Sequence, residues 1–241
     1  MKINVFKTED EVLDGLANYF VEVAAKSIAH HGQFSVALSG GNSPKKLYEL
    51  LASPKFRDKV EWKKVHFFFG DERYVPHTDL QSNYLMAKKA ILEPLDLSYR
   101  QIFPVNTSVS PEEAAARYIN DINLYFAGFD ARFDLVLLGL GDNSHTASLF
   151  PHTPVLHDKT ASVKEVFLDD QQVFRITMTA PLINQAHHIA YLVYGAGKAE
   201  AVHHVIEDKK DIENYPAQLI KPSDGELQWF LDTAAAALLK K

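Results

Sequence analysis

The chain has 241 residues, 46% hydrophobic and 23% charged, a composition typical of a globular protein and unlike that of a disordered, collagen-like or coiled-coil chain. Its 31 acidic residues outnumber its 25 basic residues, and the net charge of −6 argues against a nucleic-acid partner. The chain has no cysteine, which excludes disulfides and thiolate chemistry, and no apolar stretch long enough for a membrane span, so we expect a cytoplasmic protein with a small-molecule partner.

Short apolar runs alternate with longer amphipathic patterns along the whole chain. In chain order, helices are predicted over residues 8–31, 43–51, 82–92, 110–127, 180–185, 198–207 and 233–240. Strands are predicted over residues 34–38, 65–69, 133–138, 174–177, 189–194 and 227–231. Capping residues mark helix starts, since Thr8 precedes Glu11 by three positions and Ser43 stands as an N-cap before Pro44.

This alternation of strands and helices predicts an α/β fold. Its strands are short, predominantly apolar runs, which favours a mostly parallel central sheet with helices on both faces, a Rossmann-like arrangement. No repeat, flexible linker or change of composition divides the chain, so one domain is expected over residues 1–241, with residues 151–170 leaving the sheet. Because ligands of such sheets bind beyond the carboxyl ends of the strands, the residues that follow each strand are the candidate site.

The loop after the first predicted strand contains Ser39, Gly40, Gly41, Asn42 and Ser43. Its two glycines let the backbone approach a ligand, and the helix that follows offers free N–H groups and the positive end of its dipole. The loop therefore favours an anion such as phosphate, although a plain strand-to-helix turn is the alternative. It has neither a Walker A lysine nor GxGxxG spacing, so it does not predict a nucleotide.

Charged residues stand near the ends of three other predicted strands. Asp71, Glu72 and Arg73 follow the strand 65–69, and Arg175 and Lys198 lie near the last two central strands. An arginine can hold a phosphate through two hydrogen bonds, and the two carboxylates could hold the ligand or a sugar hydroxyl. A solvated turn, a surface salt bridge and an ordinary helix start are the respective alternatives.

The loop after the strand 133–138 reads GLGDNSHTASLFP and carries the densest chemistry. Asp142, Asn143 and His145 bring a carboxylate, an amide and an imidazole within four positions. Histidine is the usual general base near neutral pH, and either neighbour could fix its tautomer, whereas a structural histidine is the alternative. The remaining histidines lack metal-ligand spacing, so we expect no metal.

Together these loops resemble the 6-phosphogluconolactonase family of the DevB-like kind, which shares its fold with glucosamine-6-phosphate isomerases, ribose-5-phosphate isomerases and CoA transferases. The resembling segments are ALSGGNSPKKLYELL (37–51), FFFGDERYVPHTDLQSNY (67–84), LGLGDNSHTASLFP (138–151) and RITMTAPLINQAHHIAYLVYGAGKAEAV (175–202). The string HTASLFP is the most specific of them. The related amino-sugar isomerases and deaminases look like HIAFNEP at that place.

The resemblance implies hydrolysis of 6-phospho-D-glucono-1,5-lactone to 6-phosphogluconate in the oxidative pentose phosphate pathway, without metal or organic cofactor. It implies that His145 is the general base and that the loop 39–43 binds substrate. It further implies substrate and phosphate contacts from Arg73, Arg175 and Lys198. Chain length and charge leave open whether the protein is a monomer or a small homo-oligomer.

The chain departs from the family pattern GxGxDGH at two positions. Asn143 and Ser144 stand where the family commonly has Asp and Gly. Asn143 can form hydrogen bonds but cannot take a proton, and Ser144 predicts that no positive φ is needed there. An amino-sugar phosphate isomerase or deaminase, which would use a carboxylate for proton abstraction, is one alternative function. A non-catalytic phosphosugar-binding protein is the other.

Overall fold

Six parallel strands form the central sheet of the computed structural model, which describes residues 1–240. The α-helices are α1 (Glu9–His31), α2 (Asn42–Ala52), α3 (Asn83–Ala87), α4 (Pro111–Tyr125), α5 (Ala180–Asn184) and α6 (Ala199–Glu207). The strands are β1 (Lys2–Phe6), β2 (Phe34–Leu38), β3 (Val65–Phe69), β4 (Asp71–Arg73), β5 (Leu135–Leu138), β6 (Val163–Leu168), β7 (Val173–Met178), β8 (His188–Val193) and β9 (Glu226–Asp232). The central order is β1-β9-β8-β5-β2-β3, with all neighbours parallel. The predicted α/β class is confirmed.

Helices cover both faces of this sheet because its central strands bury side chains on both sides. In β5, Leu135 and Leu137 belong to the core that includes α1 and α2. Val136 and Leu138 belong to the opposite core, which includes α4, α5 and α6. Alternate residues of a strand point to opposite faces, so a strand covered on both sides is predominantly apolar.

A second sheet of three antiparallel strands, in the order β4-β7-β6, corrects two predictions. The predicted strand 174–177 lies in this sheet, as part of β7, and not in the central one. Residues 71–73, predicted as a polar loop, form β4 and pair with β7. A short polar segment becomes a strand here because a distant strand supplies its backbone partner, a context that local propensity does not encode. Residues 151–170 leave the central sheet as predicted and supply β6.

The helix starts were predicted with mixed success. In α1, Thr8 Oγ1 accepts the N–H of Glu11 at 3.2 Å, and Gly32 follows the last turn with φ 86°, as its capping signals predict. In α2 the predicted start is wrong. Gly41 is the N-cap, Ser43 lies inside the first turn, and no side chain caps this helix.

Both ends of the described chain differ from the predictions. β1 is absent from the predicted strands, although it alternates polar and apolar residues as the edge strand beside β9. The predicted helix 233–240 is wrong, because these residues form turns. Asp232 Oδ1 accepts the N–H groups of Ala235 and Gly195, so the start of this segment is tied to the residues that follow β8. None of the described helices has the length and apolarity needed to cross a membrane.

Candidate active site

The loops beyond the carboxyl ends of β2, β5 and β8 surround a cavity of about 260 Å³. The predicted site residues that line it are Ser39, Gly40, Gly41, Asn42, Ser43, Asp71, Arg73, His145, Arg175 and Lys198. Three other predicted residues, Glu72, Asp142 and Asn143, do not line it. The sheet therefore brings most of the predicted site residues to a single pocket, as expected at the carboxyl ends of parallel strands.

The loop between β2 and α2 presents an uncapped helix start to the cavity. Gly41 has φ 106° and a backbone that no side chain caps. The N–H groups of Asn42 and Ser43 reach no acceptor among residues 1–240, so they remain available to an anion at the positive end of the helix dipole. Gly40 is required for packing, because a Cβ there would lie 1.9 Å from Oδ1 of Asn83.

Two arginines face one another across the second sheet. Arg73 of β4 and Arg175 of β7 are register partners, and both line the cavity. Nε of Arg175 is buried without a hydrogen-bond partner, and burial, followed by the charge of Arg73, lowers the pKa of its guanidinium. The like charges of this pair repel one another, and the nearby carboxylates of Asp71 and Glu72 offset part of that repulsion.

The ring of His145 is held by three neighbours. Its Nδ1 lies 2.5 Å from Oδ1 of Asn143, and its face stacks on Phe150 with the ring centroids 4.0 Å apart. A Cβ at Gly141 would lie 2.0 Å from Nδ1, so the imidazole fits only against a glycine. An amide oxygen can only accept a hydrogen bond. Nδ1 of His145 therefore carries the proton, and its Nε2 keeps a lone pair.

The imidazole of His145 is neutral at pH 7. Its pKa is lowered to about 4, first by burial and then by the positive charges of Lys198, Arg175 and Arg73. The carboxylate of Asp71 opposes this shift. The carboxylate of Asp142, the neighbouring charge that could have raised this pKa, faces another partner.

That partner is Lys198, whose Nζ lies 2.6 Å from Oδ1 of Asp142. The side chain of Asp142 is 82% exposed, so this pair lies at the rim of the cavity. Of the two residues that could have fixed the histidine tautomer, the structure therefore selects Asn143.

The backbone of Ser144 contradicts the expectation that no positive φ is needed at this position. Its φ is 61°, in the left-handed region that the family's usual glycine adopts without strain. The conformation is held by the rest of the loop, since the carbonyl of Ser144 accepts from the N–H of Ala217 at 3.0 Å and its N–H donates to Gly141. Ala147 has φ 47° in the same loop. Strained backbone of this kind is common beside catalytic groups.

Adjacent acids in β4 have different environments. Glu72 is 1% exposed, and its carboxylate accepts the N–H groups of Asn83 and Tyr84 at the start of α3, while burial raises its pKa. The carboxylate of Glu72, predicted to contact substrate, is therefore directed at the start of α3 and not into the cavity. Asp71 lines the cavity and accepts from Oγ of Ser148 at 2.7 Å.

Sequence reasoning missed several residues that line the cavity, among them Asn83, Ser148, Phe150 and Tyr194. Asn83 directly follows Ser82, the N-cap of α3, and its Nδ2 donates to the carbonyl of Asp71 at 2.9 Å. The helix-start pattern at Ser82 was the only local signal for it. Across residues 1–240, no group of three or more His, Cys, Asp or Glu side chains has an arrangement that could hold a metal ion.

Comparison with known proteins identifies relatives of the chain. The chain matches the family of glucosamine-6-phosphate isomerases/6-phosphogluconolactonase over residues 7–229. A 6-phosphogluconolactonase of Synechocystis sp. is 44% identical over 219 residues, which cover 89% of this chain and 88% of that protein. One of Nostoc sp. is 41% identical over 217 residues, 88% of each chain.

Solved structures give the same relationship. The devB protein superposes with a TM-score of 0.89 at 32% identity over 99% of both chains. A 6-phosphogluconolactonase from Trypanosoma cruzi does so with a TM-score of 0.88 at 30% identity, over 100% of this chain and 97% of that one. A monomeric glucosamine-6-phosphate deaminase, with a TM-score of 0.83 and 21% identity, shares the fold.

Proposed function

The chain belongs to the glucosamine-6-phosphate isomerase/6-phosphogluconolactonase family, and we infer that it is a 6-phosphogluconolactonase, which hydrolyses 6-phospho-D-glucono-1,5-lactone in the oxidative pentose phosphate pathway. One observation within the site carries this function. A neutral imidazole with a free Nε2 shares a cavity with two opposed arginines. The amino-sugar deaminase alternative is not favoured, because Asn143 is not a carboxylate and the deaminase neighbour shares only the fold.

We propose that the 6-phosphate binds between the start of α2 and the arginine pair. The free N–H groups of Asn42 and Ser43 and the guanidinium groups of Arg73 and Arg175 surround this part of the cavity. Lys198, held at the rim, adds a third positive charge. Binding energy from this remote group would hold the lactone carbonyl near His145, so that positioning lowers the barrier.

In the proposed mechanism, Nε2 of His145 removes a proton from water as the water oxygen attacks the lactone carbonyl. The tetrahedral oxyanion is stabilised by backbone N–H groups of the glycine-rich loops or by Arg73. When the intermediate collapses, the bond from the carbonyl carbon to the ring oxygen breaks, and the imidazolium returns its proton to that oxygen. Ser148 is not assigned as a nucleophile, since its hydroxyl donates to Asp71 and not to the imidazole of His145.

An assay of the purified protein with freshly generated 6-phosphogluconolactone tests this function. We expect turnover above the spontaneous hydrolysis, measured without enzyme under the same conditions. No release of ammonia from glucosamine 6-phosphate is expected. Binding of 6-phosphogluconate without turnover of the lactone would instead support the non-catalytic phosphosugar-binding alternative.

The exchange Asn143→Asp is expected to retain most of the lactonase activity. A carboxylate can accept from Nδ1 of His145 as the amide oxygen does, at 2.5 Å in this structure. Its charge would also raise the pKa of His145 and move the acid limb of the activity profile to higher pH. The matched variant Asn143→Ala, which removes the acceptor, should lower kcat by about tenfold or more because the tautomer is no longer fixed. Deaminase turnover in Asn143→Asp would contradict this role.

The activity is expected to fall at a pH well below the usual pKa of a histidine. A general base must be neutral, and the pKa of about 4 keeps His145 neutral down to about pH 5. We therefore expect the His145 ring to titrate near pH 4 by NMR in the free protein. Saturating sulfate, a dianion throughout this range, should raise that pKa because it offsets the nearby cations. A titration near 6.5 that sulfate does not move would contradict both the burial and the anion site.

We also propose that the chain acts as one domain in the cytoplasm, as a monomer or small homo-oligomer. Loops from residues 39 to 198 contribute to one cavity, which supports a single functional unit. A chain without cysteine is compatible with a reducing compartment. Light scattering and localisation of a tagged full-length chain would test these points.

A further inference from the structure

The hydroxyl of Tyr48 occupies an unusual position at the carboxyl end of β2. It accepts the N–H of Ser39 at 2.9 Å and donates to the carbonyl of the same residue at 2.8 Å. Tyr48 is 0% exposed, so this oxygen has no access to solvent. A single side chain of α2 thus satisfies both backbone groups of the residue that begins the β2–α2 loop.

The position of this contact follows from the sheet. β2 pairs with β5 only as far as Ala37 and with β3 only as far as Leu38, so Ser39 has left both neighbours while still buried. Buried backbone groups without partners are strongly unfavourable. The Tyr48 hydroxyl takes the place of the missing strand at the point where the loop must separate from the sheet to form the cavity.

The same arrangement recurs at the next strand. The hydroxyl of Tyr118, from α4 on the opposite face, accepts the N–H of Phe69 at 2.7 Å and bonds its carbonyl at 3.2 Å. Phe69 ends β3 and comes just before the segment that carries Asp71 and Arg73. The β2–α2 loop and the segment that leads into β4 are therefore each anchored by a buried tyrosine hydroxyl.

We propose that Tyr48 is a positioning residue for the phosphate-binding loop, a role that rests on the proposed function. Its hydroxyl fixes Ser39 to the second turn of α2, so the intervening loop closes as a short ring. Within that ring lie Gly40 and Gly41, whose backbone freedom would otherwise have to be lost on binding. The hydroxyl orders the free N–H groups of Asn42 and Ser43 before the ligand arrives.

The variant Tyr48→Phe removes one oxygen and tests the proposal. We expect the Kd for 6-phosphogluconate, by calorimetry, and KM to rise about 5- to 20-fold, with kcat changed less than about threefold. The matched control is Tyr19→Phe, whose hydroxyl bonds His188 and Glu226 at the opposite end of the sheet. Tyr19→Phe should leave the Kd and KM unchanged. The comparison therefore distinguishes a general loss of stability from a local loss of binding.

Hydrogen exchange of the wild-type protein gives a second test that needs no variant. If Tyr48 orders the loop in advance, the amide of Ser39 is protected without ligand, and 6-phosphogluconate adds little protection. Rapid exchange of this amide until ligand is added would overturn the proposal, as would an unchanged Kd in Tyr48→Phe. A wild-type protein that fails to bind 6-phosphogluconate would instead overturn the proposed function.

Discussion

Replacing His145 by alanine is expected to lower kcat by about 10²- to 10⁴-fold, the usual contribution of a general base. The geometry of the ring is the reason. Nδ1 is bonded to Asn143, the ring face lies against Phe150, and Nε2 alone is left to act on water. The affinity for 6-phosphogluconate should change only a few-fold, because the proposed phosphate contacts lie on other residues.

Two controls separate this role from others. His157→Ala removes an exposed histidine that pairs with Glu213 outside the cavity, and it should leave turnover unchanged. Added imidazole should partly restore activity to His145→Ala, since the missing group is a base of the same chemistry. Turnover close to that of the unaltered enzyme would exclude the proposed mechanism. Loss of 6-phosphogluconate binding in a folded variant would make His145 a substrate ligand instead.

The central sheet was predictable because its strands are buried on both faces. An apolar run as short as 133–138 is typical of a strand covered on both sides, and the loop that follows it must then lie at the carboxyl edge. His145, Lys198 and the loop 39–43 were expected at one edge for this reason, and all of them line the cavity.

The second sheet was not predictable in the same way, and the errors at the site follow from it. Asp71, Glu72 and Arg73 have the composition of a turn, and only the pairing of β4 with β7 makes them a strand. Once they are a strand, alternation places Asp71 and Arg73 on one face and Glu72 on the other. The choice between the two acids therefore depended on a tertiary contact made about a hundred residues away.

The other errors have the same origin. The alanine-rich segment 233–240 has high helix propensity, yet it forms turns after Asp232, whose Oδ1 accepts the N–H of the distant Gly195 as well as that of the nearby Ala235. The positive φ of Ser144 accompanies the contact of its carbonyl with Ala217. Both segments thus contact residues far along the chain, which local propensity does not encode.

Replacing Arg175 by alanine is expected to have two opposite effects, on binding and on stability. The Kd for 6-phosphogluconate should rise about tenfold or more, because a charge-assisted contact with phosphate contributes on the order of 1.5–3 kcal/mol. The unliganded protein should be no less stable, with an equal or higher Tm. Arg175 lies opposite Arg73 with a buried Nε that has no partner, so its removal relieves repulsion and an unmet hydrogen bond. This relief offsets the loss of its contact with Gln171 and of the attraction to Asp71 and Glu72.

A partly buried arginine outside the cavity provides the contrast. Arg132 donates to the carbonyls of Gln185 and Asp224, so its contacts are already satisfied within the protein. Arg132→Ala should therefore lower the Tm and leave the Kd unchanged, the reverse of the result expected for Arg175→Ala. Thermal unfolding of both variants, with and without 6-phosphogluconate, measures the two effects in one experiment. If Arg175→Ala instead lowers the Tm and keeps its affinity, the arginine pair serves the fold, and the phosphate must bind elsewhere in the cavity.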